Sequence, residues 1–295
     1  MHLLVTSIGF GIVQAAILSI AAIGFSLQFG MTNVLNLAYG SFMTVGAFTA
    51  LLTTEQGLSI WVGVVIGSIA VGLLSLLVGR VVIRRFASRG ARLFEMAIVS
   101  VAIGLIIDYI MAAITRSEIF QFVFPLGGNH DVVGMIFTST QLYIVATALA
   151  TVAVLEVILH RTKLGIGIRA SAANGQLARA SGIPTERVVR LTWFVSGMLC
   201  GLGGALLSVS YLSVSFVTGT NFLPYILAAV VVAGIGAIGY AALASLVLAL
   251  VIQIAGSFGA GSFNVAIAVG VLLLMLLVRP RGFFGELWEK SEAMG

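Results

Sequence analysis

Nine long apolar runs, several reaching the roughly 20 residues that an α-helix needs to cross about 30 Å of hydrocarbon, leave this chain few choices of fold. Their approximate bounds are Leu3 to Leu27, Leu37 to Thr53, Ile60 to Ile83, Phe94 to Thr115, Gln141 to Leu159, Leu191 to Leu212, Phe222 to Gly234, Ala241 to Phe258 and Phe263 to Val278. None alternates like a lipid-facing barrel strand. Charged residues make up 8% of the chain, against about a quarter in an ordinary soluble domain. In lipid a backbone must satisfy its own polar groups, and helices do so. The expected fold is an all-α, polytopic transmembrane helical bundle of eight or nine spans, built as one domain over residues 1–295. The seventh run is short, so some segments are expected to be discontinuous or re-entrant.

Basic residues orient the bundle. Five lie between Arg80 and Arg92, six between Arg161 and Arg190, and three in the tail at Arg279, Arg281 and Lys290. Only Arg116 of the fifteen lysines and arginines falls elsewhere, and the alternate loops carry Glu55, Glu118 and Asp131. Positive charge favours the cytoplasmic side, which puts the amino terminus outside and the carboxyl terminus in the cytoplasm. The +5 formal charge is thus placed by membrane topology, and nucleic acid is not an expected partner. The amino terminus lacks the basic region of a cleavable signal and reads as the first span.

Two places interrupt the helical pattern. Residues 28–36 read QFGMTNVLN, and residues 233–240 read AGIGAIGY. Polar or glycine-rich breaks in corresponding parts of two halves point to a transporter's central site, because unwound backbone is tolerated only where it lines protein or water. The breaks suggest two related halves. Candidate residues of a translocation path are Asn33, Asn36, Tyr39, Gly40, Gly234 and Gly236, with Asp108, the one central ionisable group, expected to face inward. The asparagines equally suit helix ends or bonds between helices, and Asp108 suits a bond between helices.

Several chemistries are excluded by what surrounds their motifs. Gly234, Gly236 and Gly239 match GxGxxG, but no strand precedes them, and position 259 is a glycine where the fingerprint needs an acid. There is no GxxxxGK[ST] and no GxSxG. His2, His130 and His160 are too scattered for a metal site, so no metal and no catalytic residue is expected. Cys200, alone, reads as a small packing residue. Glu95 and Glu156 are expected to partner Arg92 and Arg161. Asn129, His130 and Asp131 form a polar group or, more simply, a turn after Pro125, Gly127 and Gly128.

The longest polar interruption, His160 to Arg190, should lie in the cytoplasm. Ser171 is placed to cap a short helix from Ala172 to Ser181 that Gly182 and Pro184 close, with Ala173, Leu177 and Ala180 on one small apolar face. Such a face suits docking on a soluble partner, or resting on lipid headgroups.

The run from Gly165, IGIRASAANGQLARASGIPTERVVRLTWFVSGMLCGLGGAL after it, together with GMTNVLNLAYGSFMTVGAF from Gly30 and RPRGFFGE from Arg279, resembles the LivH-type permease subunits of bacterial ABC importers for branched-chain amino acids. The likeness spans the chain. It implies a multi-pass protein of the bacterial inner membrane that works by alternating access. It further implies two ATP-binding cassette subunits as partners, a second permease subunit, identical or paralogous, and a periplasmic or extracellular substrate-binding protein. No cofactor belongs to this chain, since ATP sits on the partners. Related permeases serve urea, short amides and other small solutes. Arg169, Ala172, Ala173, Leu177, Arg179, Gly182 and Ile183 fall on the ATPase-coupling loop, and Asn36, Ala38 and Gly40 on the first-half signature. Ser171 stands where that loop often carries an acid, and Leu37 and Tyr39 where Phe and His or Gln are common. A self-sufficient secondary transporter is the alternative; it needs coupling-ion residues in the membrane, for which Asp108 is the one candidate.

Overall fold

The computed structural model describes residues 2–124, 127–132, 134–234, 236–257, 263–279 and 282–283. Each apolar run becomes a helix: α1 (His2–Thr32), α2 (Tyr39–Glu55), α3 (Ile60–Val78), α5 (Leu93–Thr115), α6 (Ser139–Arg161), α8 (Thr185–Tyr211), α9 (Thr218–Ala233), α10 (Ile238–Ala255) and α11 (Asn264–Val278). A π-helical turn, Gly79–Ile83, joins α3 to the short α4 (Arg84–Ser88), and α7 (Lys163–Ala180) links α6 to α8. Six of these helical stretches are long and apolar enough to span a membrane, namely 6–32, 60–88, 93–115, 139–161, 185–211 and 238–255. The seventh run forms a helix of only 16 residues, about 24 Å long, with Pro224 inside it. The first passage runs further than the apolar pattern suggests: Gly30 lies within α1, which ends at Thr32.

The described residues fall into two compact units whose segments alternate along the chain. In the first unit, from residues 1–26, 123–152 and 224–295, Gly11 brings α1 against Leu250 of α10, where Gln253 Nε2 donates to Gln14 Oε1. Strands β2 (Asn129–Val132) and β3 (Met135–Thr138) pair antiparallel, with His130 opposite Phe137. Asn129, His130 and Asp131 therefore belong to a hairpin. Asp131 Oδ1 accepts from Gly134 N at 2.8 Å, and His130 Nε2 lies 3.0 Å from Ser139 Oγ.

The second unit, residues 27–122 and 153–223, is organised around α2. Most of its side chains are buried, Tyr39, Phe42 and Met43 completely, because α3 and α8 pack along it through glycines. A Cβ on Gly46 would sit 2.7 Å from Gly201 Cα, and one on Gly204 would sit 2.1 Å from Met43 O. Small residues let backbones touch where lipid supplies no hydrophobic drive. Hydroxyls bridge the same helices, Ser68 Oγ donating to Met198 O and Ser75 Oγ to Trp193 O, each at 2.8 Å. Cys200 is a fully buried packing residue whose thiol donates to Tyr39 O. Helix α5 is polar inward and apolar outward: Met96, Ser100, Gly104 and Asp108, four residues apart, are buried, while Leu105, Ile106, Tyr109 and Ile110 are exposed. Strand β1 (Phe120–Gln121) pairs antiparallel with β4 (Ser213–Val214).

Candidate functional site

The polar segment from His160 to Arg190 is built differently from the pattern read in its sequence. Helix α7 is capped by Thr162, whose hydroxyl accepts from Gly165 N at 3.2 Å, and runs on through Ser171. It does so because Gly165, Gly167 and Ile168 are buried, with Gly167 packed on Val188 of α8. Arg169 Nη1 donates to Leu159 O, tying α7 to the last turn of α6. The helix then breaks at Asn174, which is extended (φ −154°, ψ 97°). Its Oδ1 accepts from Gln176 N at 3.1 Å and Leu177 N at 3.0 Å, so Asn174 caps the final turn. Ser171, expected as that cap, is instead buried inside the first part, its hydroxyl without a hydrogen-bond partner among the described residues. Gly175 supplies the missing signal: a weak helix former after an asparagine favours restarting the helix there.

The break also separates residues expected on one face. Ala172 and Ala173 lie before it, whereas Leu177, Arg179 and Ala180 lie after it, so Ala173, Leu177 and Ala180 do not form one continuous stripe. Ala178 is the buried residue of the last turn, and Leu177 is 64% exposed. Gly182 does close the helix, at φ 84°. Its N–H donates to Arg179 O at 3.1 Å and that of Ile183 to Ala178 O at 3.0 Å, a Schellman ending that favours glycine. Of the two acidic residues expected to partner arginines, Glu95 meets Arg92 through its backbone, and Glu156 takes another partner. Glu156 pairs with His160 at 3.1 Å instead of Arg161, Glu95 accepts from the backbone N–H of Arg92 at 3.0 Å, and Arg84 pairs with Glu186 at 3.1 Å.

The candidate path residues of the second unit sit in its polar interior. Asn36, buried, donates from Nδ2 to Gln28 Oε1 at 3.4 Å, and Ser196 Oγ donates to the same oxygen at 3.2 Å. Gln28 Nε2 is buried with no hydrogen-bond partner among the described residues. Tyr39 Oη donates to Ser196 O at 3.3 Å. Gly40 backs onto Gly219, and Gly219 N donates to Thr44 Oγ1 at 3.0 Å. Asp108, 7% exposed, accepts from Thr220 Oγ1 at 2.9 Å, with Ser41 Oγ 3.4 Å from the same hydroxyl. The aspartate thus faces inward and joins α5 to α9. Asn33 is set apart: exposed, in the left-handed region (φ 53°), it ends α1. In the first unit Gly234 and Gly236, at φ 98° and 93°, make the turn between α9 and α10, and Gly282 packs its backbone on Gly234. Gln28, Ser41, Thr220 and Asn174 are the site residues that sequence reasoning missed; Ser41 is a polar residue inside an apolar run, a signal it shares with Asp108, and Gln28 and Thr220 sit just beside such runs.

The family model described as branched-chain amino acid transport system / permease component matches residues 7–279. The chain belongs to that family. It is 31% identical to the probable branched-chain amino acid transport permease protein LivH of Methanocaldococcus jannaschii, over 96% of this chain and 93% of the relative. It is 24% identical to the high-affinity branched-chain amino acid transport system permease protein LivH of Salmonella typhimurium, over 94% of each. To the permease protein LivM of Escherichia coli it is 25% identical, over 89% of this chain and 66% of the relative. No solved structure matches. In this permease, then, the kinked α7 and the buried polar residues of α1, α2, α5 and α9 belong to a transport protein.

Proposed function

We propose that this permease is the membrane-spanning subunit of an ATP-driven ABC importer whose solutes are branched-chain or other apolar amino acids. The observation that carries the reading is the last turn of α7, which is capped at both ends, by Asn174 and Gly182, and yet leaves Leu177 uncovered. A rigid turn with an exposed apolar side chain is suited to a groove on a soluble partner. Two ATP-binding cassette subunits would dock there, and ATP chemistry would lie wholly on them, leaving this chain without cofactor or catalytic residue. A second permease, identical or paralogous, would complete the pore, and a periplasmic or extracellular binding protein would deliver the solute.

The basic segments, α7 among them, face the cytoplasm of a bacterial inner membrane in this reading, with the amino terminus outside and the carboxyl terminus inside. ATP binding closes the ATPases, α7 moves with them, and Arg169 passes that motion to α6 through Leu159. Asn36, Tyr39, Gly40 and Asp108 border the path. The test is uptake of labelled leucine by proteoliposomes holding the permease with and without the ATPases and binding protein. ATP-dependent uptake only in the complete set is expected. Uptake driven by an ion gradient with the ATPases left out overturns the proposal.

A further inference from the structure

A cavity of about 550 Å³ lies in the second unit among the end of α1, the α3 to α4 junction, α7 and the start of α8. Its floor is apolar: Val34, Ile83, Met96 and Trp193 form one buried cluster. Its rim carries Arg80, Arg84, Arg179 and Arg190, and Glu186 is the one carboxylate among the lining residues. That carboxylate is matched by Arg84 at 3.1 Å. Arg179 donates from Nε to Thr185 Oγ1 at 3.4 Å, and Arg190 from Nε to Glu186 O at 3.3 Å. Each of these bonds engages one of the five N–H donors of a guanidinium. Three arginines therefore surround the opening with no lining carboxylate left to balance them.

A dry floor under a cationic rim is complementary to a molecule with an anionic head and an apolar tail. An amino acid fits poorly, because its ammonium group would meet the same arginines. Basic pockets between membrane helices suit phosphate headgroups, and arginine binds phosphate oxygens in pairs. We propose that this cavity binds an acidic glycerophospholipid such as phosphatidylglycerol. The phosphate lies on Arg80, Arg179 and Arg190, and the first part of one acyl chain covers Trp193. The volume falls in the range of small-molecule sites and is less than a whole two-chain lipid, so the rest of the lipid stays in the bilayer. Since Gly175, Gln176 and Arg179 of α7 share the rim, a bound lipid braces the turn that Asn174 caps. The proposal needs only that these helices span a membrane and does not depend on which solute is carried.

Trp193 reports on its own site. In the full chain carrying Trp61→Phe and Trp288→Phe it is the sole tryptophan of three. This protein is reconstituted in phosphatidylcholine vesicles containing increasing fractions of dibrominated phosphatidylglycerol or dibrominated phosphatidylcholine, and quenching of its emission is followed. Half-quenching is expected at a roughly tenfold lower fraction of the brominated phosphatidylglycerol, and Arg80→Gln with Arg190→Gln should bring the two midpoints together. Arg80→Lys with Arg190→Lys should keep most of the preference, which separates loss of charge from loss of fold. Equal midpoints in the parent protein, or a preference that survives the paired Gln changes, overturn the proposal. Removal of the preference by millimolar inorganic phosphate also overturns it, by making the site one for a soluble anion.

Discussion

Leu177 donates its backbone N–H to Asn174 Oδ1 at 3.0 Å, and this bond decides where the exposed turn of α7 begins. An N-cap of this kind contributes about 1 kcal/mol. Asn174→Ala is therefore expected to loosen the turn and lower leucine uptake per ATP hydrolysed in the reconstituted transporter, while Asn174→Asp keeps both. Ser171→Ala should change neither, because the Ser171 hydroxyl is buried without a hydrogen-bond partner among the described residues. A coupling defect in Ser171→Ala equal to that of Asn174→Ala would move the cap back to Ser171.

Gly182 ends the same turn at φ 84°, a conformation that costs a residue with a Cβ about 1 kcal/mol or more. Gly182→Ala should insert normally and weaken coupling. Gly182→Pro should uncouple more fully, since proline cannot adopt that φ and lacks the N–H given to Arg179 O. The measurement is ATPase activity beside uptake: hydrolysis continuing while uptake falls is expected, and normal uptake in both variants counts against docking through α7.

Close packing of the second unit has a stability signature. At Gly204 an added Cβ would lie 2.1 Å from Met43 O, whereas at Gly239, inside α10, it would meet nothing within 4 Å. Gly204→Ala should cost about 1–3 kcal/mol and lower the melting temperature by several degrees. Gly239→Ala should leave it unchanged or slightly raised. A thermal scan of the purified protein in detergent that ranks the two equally would contradict the glycine-mediated packing of α2 on α8.

Asp108 accepts from Thr220 at 2.9 Å, a contact that an amide oxygen also provides. Asp108→Asn is expected to preserve folding and ATP-driven uptake. Asp108→Leu should destabilise by about 1–3 kcal/mol, because the Thr220 hydroxyl then loses its acceptor. A well-folded Asp108→Asn protein that transports nothing, while the parent responds to a proton gradient, would shift the carboxylate to ion coupling.

Orientation has a direct check. His130→Cys should react with a membrane-impermeant thiol reagent added outside intact cells, and Gly175→Cys only after permeabilisation. Cys200, fully buried, supplies an unreactive background. The reverse pattern would invert the topology.

Much of this permease is legible without coordinates, and the residues show why. An apolar run in lipid has to close its own backbone hydrogen bonds, so nine runs predict nine helices. Gly182 is readable because a left-handed helix end is a local demand that glycine meets with least strain. Asn33 and Asn36 look alike in the chain, since both interrupt the pattern after α1. In the structure one ends a helix on the surface and the other bonds to Gln28, and the difference lies in which side chains surround them.

The placement of the α7 cap shows the same limit within one segment. Ser171 and Asn174 are both sound caps by residue type, and burial of Gly167 and Ile168 against α8 carries the helix past the first to the second. The sequence by itself determined the fold class, the nine apolar helices and the distribution of positive charge, because these follow from local backbone and solvation costs. Tertiary structure alone decided that Asp108 meets Thr220, that Gly282 packs on Gly234, and that four arginines share a rim with Trp193 beneath. Those pairings join positions far apart in the chain, and hydropathy carries no information about which buried or interfacial neighbours will meet.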